Sequence, residues 1–434
     1  MARQEKALAR GIGQAVPIIA SALATSISIL RLHLSNQAVW TDVLWAEDGL
    51  FTLCAARDGV HQCLLEPYAG YLHLWPKLVA GIPAQFPIEA WPAITLLVSA
   101  LTAGVVSAYV AWILIRQQIP PLTALLAAVI PVLLPAVGEE AVGSIANSTY
   151  LITIAGAIGV AFPLTTRTFT LVTAMLLLLV TMSTPIGFVL LALLLWQMWQ
   201  GRFSSHRQST VLFASAATGS AIQLAVIVVA RAERPFIPVI SATESWASGV
   251  GLQTLKLVPP IADQVVSRSP MDGFLPTLGL LIAICLMVAG IYLVRQASNV
   301  QVSGAGWLIL IGLVASIIPH IANPSLARYF VAPLALWITA GLVLLAVSRP
   351  NIAIRTAVIV LAASVGVTWS FDFRSPESRS GGNPAWSEVV GLARTACEER
   401  PDERVGFVFS PWWPNSPDGS DESLARSAPC SILD

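Results

Sequence analysis

Residues 168–200 read TFTLVTAMLLLLVTMSTPIGFVLLALLLWQMWQ, an apolar stretch without a charged side chain. A helix crosses about 30 Å of hydrocarbon with roughly 20 apolar residues, so this stretch is too long for a single crossing. Ser183-Thr184-Pro185 interrupts it near the middle, and proline disfavours helix in the residue before it. The stretch predicts two short membrane helices, 168–183 and 185–200, with one long kinked helix as the alternative.

The whole chain has the composition of a polytopic membrane protein. Of its 434 residues, 56% are hydrophobic and 11% are charged, about half the charged share of a typical soluble domain. The sequence contains no basic patch of the kind that binds nucleic acid. We predict an all-α integral membrane protein with about eleven transmembrane helices. The predicted spans are 12–33, 89–115, 120–137, 148–165, 168–183, 185–200, 210–230, 273–294, 304–321, 329–347 and 353–371.

The basic residues predict the orientation of these spans, because Lys and Arg collect in short cytoplasmic loops. With the N-terminus inside, every acidic residue except Glu5 falls on the outer side. The inner basic residues are Arg3, Lys6, Arg10, Arg116, Arg167, Arg202, Arg207, Arg295, Arg349 and Arg355. A single helix over 168–200 would move the last five of these outside, which favours two helices. We expect a multi-pass protein of a bacterial plasma (inner) membrane, with a cytoplasmic N-terminus and an extracytoplasmic C-terminus; a cleaved N-terminal signal peptide is a less favoured alternative.

The C-terminal segment 372–434 is predicted to be a small soluble α/β tail that follows the transmembrane domain, residues 1–371. Helical spacing of apolar residues predicts a helix over Ala385–Arg400, and alternation predicts a strand over Arg404–Ser410. We expect the tail to dock on the outer face through Trp412 and Trp413.

Four cysteines fall in outer segments: Cys54 and Cys63 in the first loop, and Cys397 and Cys430 in the tail. An oxidising compartment favours two local disulfides. Metal binding is the competing interpretation, but neither a CxxC pair nor a matching histidine spacing supports it.

Two adjacent carboxylates among aromatic residues distinguish the first outer loop, residues 34–88, which reads WAEDGLF over 45–51. Glu47 and Asp48 suit three roles: deprotonating an acceptor hydroxyl, holding a divalent cation, or capping a helix over 49–58. The residue pattern alone favours the cap. The other candidate substrate-binding residues of this loop are Tyr68, Tyr71, His73 and Lys77.

Three further outer segments carry polar side chains. The second loop, 138–147, contains Glu139 and Glu140 and ends at Asn147; a solvated turn before an N-cap is the alternative interpretation. Segment 321–328 joins His320 to Arg328 and Tyr329, and an arginine there either binds a lipid phosphate bidentately or extends to headgroups. Loop 231–272 is either a lid or an ordinary surface loop.

The layout resembles the GT-C superfamily of polytopic glycosyltransferases, which use polyprenyl-phosphate sugars as donors. The stretches that carry the resemblance are Trp45 to Gly49, Pro67 to Trp75, the Asn147 loop, Arg328-Tyr329-Phe330 and Trp412-Trp413-Pro414; the first is similar to a first-loop motif of bacterial members. The resemblance implies that Glu47 or Asp48 acts at the acceptor hydroxyl or near a metal. It also implies that Glu139 or Glu140 supplies a second acid and that Arg328 holds the donor phosphate. The sequence lacks a strict Asp-x-Asp, so dependence on Mg²⁺ or Mn²⁺ stays open, and the tail is short for the group.

The leading functional hypothesis is a membrane hexosyl- or pentosyltransferase. It would move a sugar from a polyprenyl-phosphate donor to a glycan, lipid or protein acceptor at the outer surface. The alternatives are a transporter or flippase of a lipid-linked glycan and a non-catalytic subunit of envelope assembly. A transporter needs polar groups along a path through the membrane, and the spans contain few apart from Arg31 and Gln223.

Overall fold

The computed structural model describes residues 2–35, 41–68, 70–134, 143–203, 205–230, 246–252, 274–295, 299–322, 327–347, 385–401, 404–409 and 425–433. These residues are mostly helical, with one small antiparallel sheet near the C-terminus. The helices are α1 Ala2–Ser35, α2 Ala46–Asp58, α3 Val60–Leu65, α4 Leu74–Ala80, α5 Trp91–Arg116, α6 Pro121–Leu133, α7 Ser148–Ala161, α8 Arg167–Thr181, α9 Gly187–Trp199, α10 His206–Val229, α11 Phe274–Arg295, α12 Val300–Ala322, α13 Val331–Val347 and α14 Trp386–Glu399. Short 3-10 turns occupy Pro83–Gln85, Ile88–Ala90, Ala327–Phe330 and Cys430–Leu433.

Among the described residues, five helices are long and apolar enough to cross a membrane: α1, α5, α10, α11 and α12. The other apolar helices, α6 to α9 and α13, are shorter. At 1.5 Å per residue they measure roughly 20–25 Å, less than the hydrocarbon thickness. The predicted count of about eleven spans is therefore not confirmed, and the last predicted span, 353–371, lies outside the described residues.

The interrupted apolar stretch forms two helices, as predicted. Helix α8 ends at Thr181 and α9 begins at Gly187. The turn brings the two helix ends close together, since a Cβ on Gly187 would lie 2.8 Å from Cγ2 of Thr181. Only glycine fits that approach.

One buried apolar core holds the bundle together. Helix α1 packs along α5, and α12 packs between α11 and α13. Large apolar side chains also cover the outside, for example Val105, Met175 and Val288. Exposed apolar faces around a buried core are expected of helices that face lipid.

The tail contains α14 and two antiparallel strands, β1 (Arg404–Val408) and β2 (Ala425–Pro429). The helix and the first strand confirm the sequence prediction; the second strand was missed. Trp412 and Trp413 lie outside the described residues.

The tail does not form a core alone. Its Trp386, Val390, Phe407 and Phe409 join a second cluster with side chains from residues 44–53 and 80–88 of the first loop and with Trp91 at the start of α5. Shared packing explains how a short segment is stabilised. Disulfides join Cys54 to Cys63 and Cys397 to Cys430.

Candidate functional site

The two adjacent acids lie in the first turn of α2. The helix begins at Ala46 with Trp45 as its N-cap residue, so neither acid is the N-cap. Asp48 is 1% exposed. Its Oδ1 accepts hydrogen bonds from the Ser144 hydroxyl at 3.1 Å and from the Ala146 amide at 2.8 Å. The carboxylate therefore joins the first loop to the second, and Glu47, half-buried, lies one position earlier on the helix.

Ser144 organises the end of the second loop around Asp48. Its hydroxyl donates to Asp48 and accepts from both the backbone amide and the Nδ2 of Asn147, each at 3.2 Å. Its carbonyl accepts from the Ser99 hydroxyl of α5. A serine hydroxyl has one donor and two acceptor sites, so every position on this hydroxyl is used. Asn147, predicted as a site residue, is thus connected to Asp48 through the Ser144 hydroxyl.

An aromatic cluster lies beside the acids: Phe51, Tyr68, Tyr71 and His73. The rings of Tyr71 and His73 stack at 3.9 Å between centroids, and Tyr68 meets Phe51 edge-on at 5.3 Å. His73 has φ +54° at the N-cap of α4, a left-handed conformation that costs a non-glycine residue roughly 1–2 kcal/mol. Phe51 lies three positions after Asp48 on α2, and residues at that spacing share a helix face. The structure thus brings Tyr68, Tyr71 and His73 together near the acids.

Lys77 of α4 is buried behind this cluster, with 3% of its surface exposed. Its Nζ donates to the Glu66 carbonyl and lies 5.7 Å from the centre of the Phe51 ring. Burial lowers the pKa of Lys77 to about 8, although the nearby Glu66 carboxylate acts in the opposite direction. The ammonium, Arg57, Glu66 and the Cys54–Cys63 disulfide line a small pocket.

The stretch from Leu72 to Trp75 is anchored in the helical bundle. The amide of Leu72 donates to Gln223 Oε1, and the amide of Trp75 donates to the Ser183 hydroxyl at 2.7 Å. The Trp75 indole donates to the Ser148 hydroxyl at 2.8 Å, next to Asn147. Ser183, which lies in the turn between α8 and α9, therefore supplies a hydrogen-bond acceptor to the first loop.

Arg31 is a further polar residue near the loops, and the sequence prediction did not assign it to the site. It is fully buried near the end of α1, and its Nη1 donates to the carbonyls of Val132 and Leu134 at 2.9 and 2.8 Å. These carbonyls end α6, where the last turn lacks intrahelical partners. The sequence did carry a signal for a role of Arg31, because a charged residue within a predicted span is rare and is often functional.

Other predicted site residues are placed only in part. Tyr329 packs edge-on against Tyr150 at 6.4 Å between centroids. Helix α12 and the turn Ala327–Phe330 include His320 and Arg328, whose side chains are outside the described atoms. Glu139 and Glu140 lie outside the described residues, as does most of loop 231–272. From that loop, Trp246 donates to the Ser316 hydroxyl of α12 at 2.9 Å.

One group of potential metal ligands occurs among the described residues: Cys54, Cys63 and Glu66. The two sulfurs are bonded to each other, and a disulfide offers no thiolate to a metal. Glu47 and Asp48, the acids predicted for a cation, are neighbours on a helix, so their side chains leave it about 100° apart. The described residues do not assemble a metal site at either place.

No protein-family model and no curated protein matches this chain. Among solved structures, it is similar to the crystal structure of the Archaeoglobus fulgidus oligosaccharyltransferase in complex with Zn and sulfate, with a TM-score of 0.51 and 14% identity over 89% of this chain and 56% of the other. The apo form of that oligosaccharyltransferase gives a TM-score of 0.51 and 13% identity, over 89% and 58% of the two chains. The chain thus spans little more than half the length of the structures it matches. At this level of identity the likeness shows a shared fold.

Proposed function

We propose that this chain is a membrane glycosyltransferase that moves a sugar from a polyprenyl-phosphate-linked donor to a glycan, lipid or protein acceptor on the extracytoplasmic side. The observation that carries the proposal is the position of Asp48. It is a buried carboxylate of the first loop, bonded to the second loop, in a chain with the fold of an oligosaccharyltransferase.

The two acids take different roles because their surroundings differ. Glu47 is only half-buried and accepts the proton of the acceptor hydroxyl as general base. Asp48 holds the first turn of α2 against the second loop through Ser144 and Ala146. The acceptor oxygen bonds to the anomeric carbon of the sugar, and the bond from that carbon to the phosphate oxygen breaks. The electron pair leaves with the lipid phosphate.

Arg328 is the residue we assign to the leaving phosphate. A guanidinium binds phosphate through two parallel N–H donors and stabilises the charge that develops as the phosphate departs. The stacked rings of Tyr71 and His73 offer a flat aromatic surface for the sugar. A divalent cation, if one takes part, needs ligands beyond Glu47 and Asp48.

The test measures transfer from radiolabelled polyprenyl-phosphate sugars by the purified protein in proteoliposomes. We expect Glu47→Gln and Asp48→Ala each to reduce transfer by about 10²-fold or more, the range of a lost general base or of a misplaced one. Asp48→Asn keeps an Oδ1 acceptor for Ser144 and Ala146 and should retain most of the transfer, because Asp48 acts through these hydrogen bonds. Glu388→Gln, on the exposed face of α14, is the matched control.

Unchanged transfer in both Glu47→Gln and Asp48→Ala would refute the site. Flux of a lipid-linked glycan across vesicles, without transfer of its sugar, would favour the transporter alternative instead.

A further inference from the structure

The tail packs against α2 at the residue next to Asp48. Phe409, fully buried, follows β1 and packs against Gly49, the residue after Asp48. A Cβ added to Gly49 would lie 2.5 Å from Cε1 of Phe409, whereas carbon atoms in contact normally stand about 3.5–4.0 Å apart. The ring therefore occupies the space of a side chain at position 49.

Further contacts fix the tail on the first loop at both ends of α2. Before the helix, the Asp42 carboxylate accepts from the amide and the hydroxyl of Ser387. At the end of the helix, Arg57 donates to the carbonyl of Ser427 in β2. The position of Phe409 is thus set by polar contacts at each end of α2.

Trp386 connects the same ring to the start of α5. Its indole donates to the Ile88 carbonyl at 2.7 Å, and its ring stacks on Trp91 at 6.0 Å and on Phe409 at 5.9 Å. Arg394 pairs with Glu89 in the same region. Together these contacts hold Phe409 over the first turn of α2.

We propose that Phe409 is a positioning residue for the site: the tail, through this ring, holds the first turn of α2 so that Asp48 reaches the second loop and Glu47 keeps its place beside it. The turn has two supports at adjacent residues, the Phe409 ring at Gly49 and the hydrogen bonds from Ser144 and Ala146 at Asp48. A loss of either support lets the turn shift, and a shift of about 1 Å in a reacting group is enough to reduce catalysis by about 10²-fold. The support of the turn by Phe409 does not depend on the proposed function; only the expected loss of catalysis rests on it.

Phe407 provides the matched comparison. It lies in β1, two residues before Phe409, is also fully buried, and its ring is 5.9 Å from Trp386. The three atoms nearest to a Cβ on Gly49 all belong to Phe409. Phe407→Leu and Phe409→Leu therefore remove equal volume from the tail, but only the second removes the support of Gly49.

The first experiment uses hydrogen exchange of the full chain in nanodiscs, without any substrate. The amide of Ala146 is protected through its bond to Asp48, so the peptide 143–150 reports the position of α2. We expect Phe409→Leu and Gly49→Ala to raise its exchange about tenfold, which corresponds to about 1.4 kcal/mol, while Phe407→Leu leaves it within twofold. Equal effects of the two leucine variants, or no effect of Phe409→Leu, would overturn the proposal.

The second experiment measures sugar transfer. We expect Phe409→Leu and Gly49→Ala to lower kcat by about ten- to a hundredfold with KM within twofold. The double variant Gly49→Ala/Phe409→Leu should regain kcat relative to Gly49→Ala, because the smaller side chain makes room for the new methyl group. Failure of that rescue counts against positioning. Full activity of Glu47→Gln and Asp48→Ala would instead remove the proposed function, and the exchange result would still stand.

Discussion

Lys77 should make the stability of the protein depend on pH above neutrality. Its pKa falls from 10.5 to about 8 in the folded chain because the ammonium is buried. Between these values the unfolded chain binds more protons than the folded chain, so the free energy of unfolding rises as the pH increases through that window. A difference of about 2.5 pH units corresponds to about 3 kcal/mol.

The measurement compares wild type with Lys77→Met by denaturant titration in mixed micelles, followed by tryptophan fluorescence. Other groups titrate equally in both proteins and cancel in the difference. Relative to the variant, wild type should gain about 3 kcal/mol between pH 7 and pH 11. Lys77→Arg, whose charge persists across this range, should show no such gain.

A difference between wild type and Lys77→Met that is constant with pH would refute the reasoning. It would mean that the ammonium stays protonated in the folded chain, held by the Glu66 carbonyl and the Phe51 ring strongly enough to offset its burial.

Three other perturbations have defined outcomes. Replacing Cys397 and Cys430 by serine should destabilise the tail by about 4 kcal/mol, as expected for a loop that spans a sequence separation of 33; faster proteolysis of the tail checks it, and unchanged proteolysis contradicts it. Arg31→Met should cost about 3 kcal/mol, the lower end for the two charge-assisted hydrogen bonds to α6 that are lost; a melting temperature equal to that of wild type would show that Arg31 does not stabilise the end of α6. Trp75→Phe keeps an aromatic ring but removes the bond to Ser148, and should raise hydrogen exchange around residues 71–75; no increase would show that packing alone holds the stretch.

Local signals in the sequence predicted the elements that depend on local chemistry. The break between α8 and α9 followed from Ser183-Thr184-Pro185 together with the distribution of arginines. Helix α14 followed from apolar residues at helical spacing. The number of spans was harder to predict, because a run of apolar residues does not fix the length of the helix it forms. The span predicted over 120–137 contains α6, which ends at Leu133, two residues after Pro131.

The missed features depend on contacts between distant residues. Nothing near Gly49 in the sequence shows that a phenylalanine more than 300 positions later fills its side-chain space. Ser144 carries no motif, yet it links Asp48 to Asn147. Strand β2 reads ARSAP and lacks the alternation of apolar residues that identified β1. It forms a strand by pairing with β1, which supplies most of the apolar side chains of the sheet.

Under the proposed function, the chemistry takes place between the two apolar cores, and their packing bears on how the substrate would reach it. One core lies within the helical bundle, and the other is shared by the first loop and the tail. Polar contacts join the first loop to the second loop and to the bundle: Asp48 with Ser144 and Ala146, Trp75 with Ser148, and Leu72 with Gln223. A hydrogen bond contributes only about 1 kcal/mol net, because water or a polar substrate replaces the lost partner, whereas opening a packed apolar core costs several times more. Under the proposed function, a sugar with its phosphate would therefore enter along these polar contacts, beside Asp48.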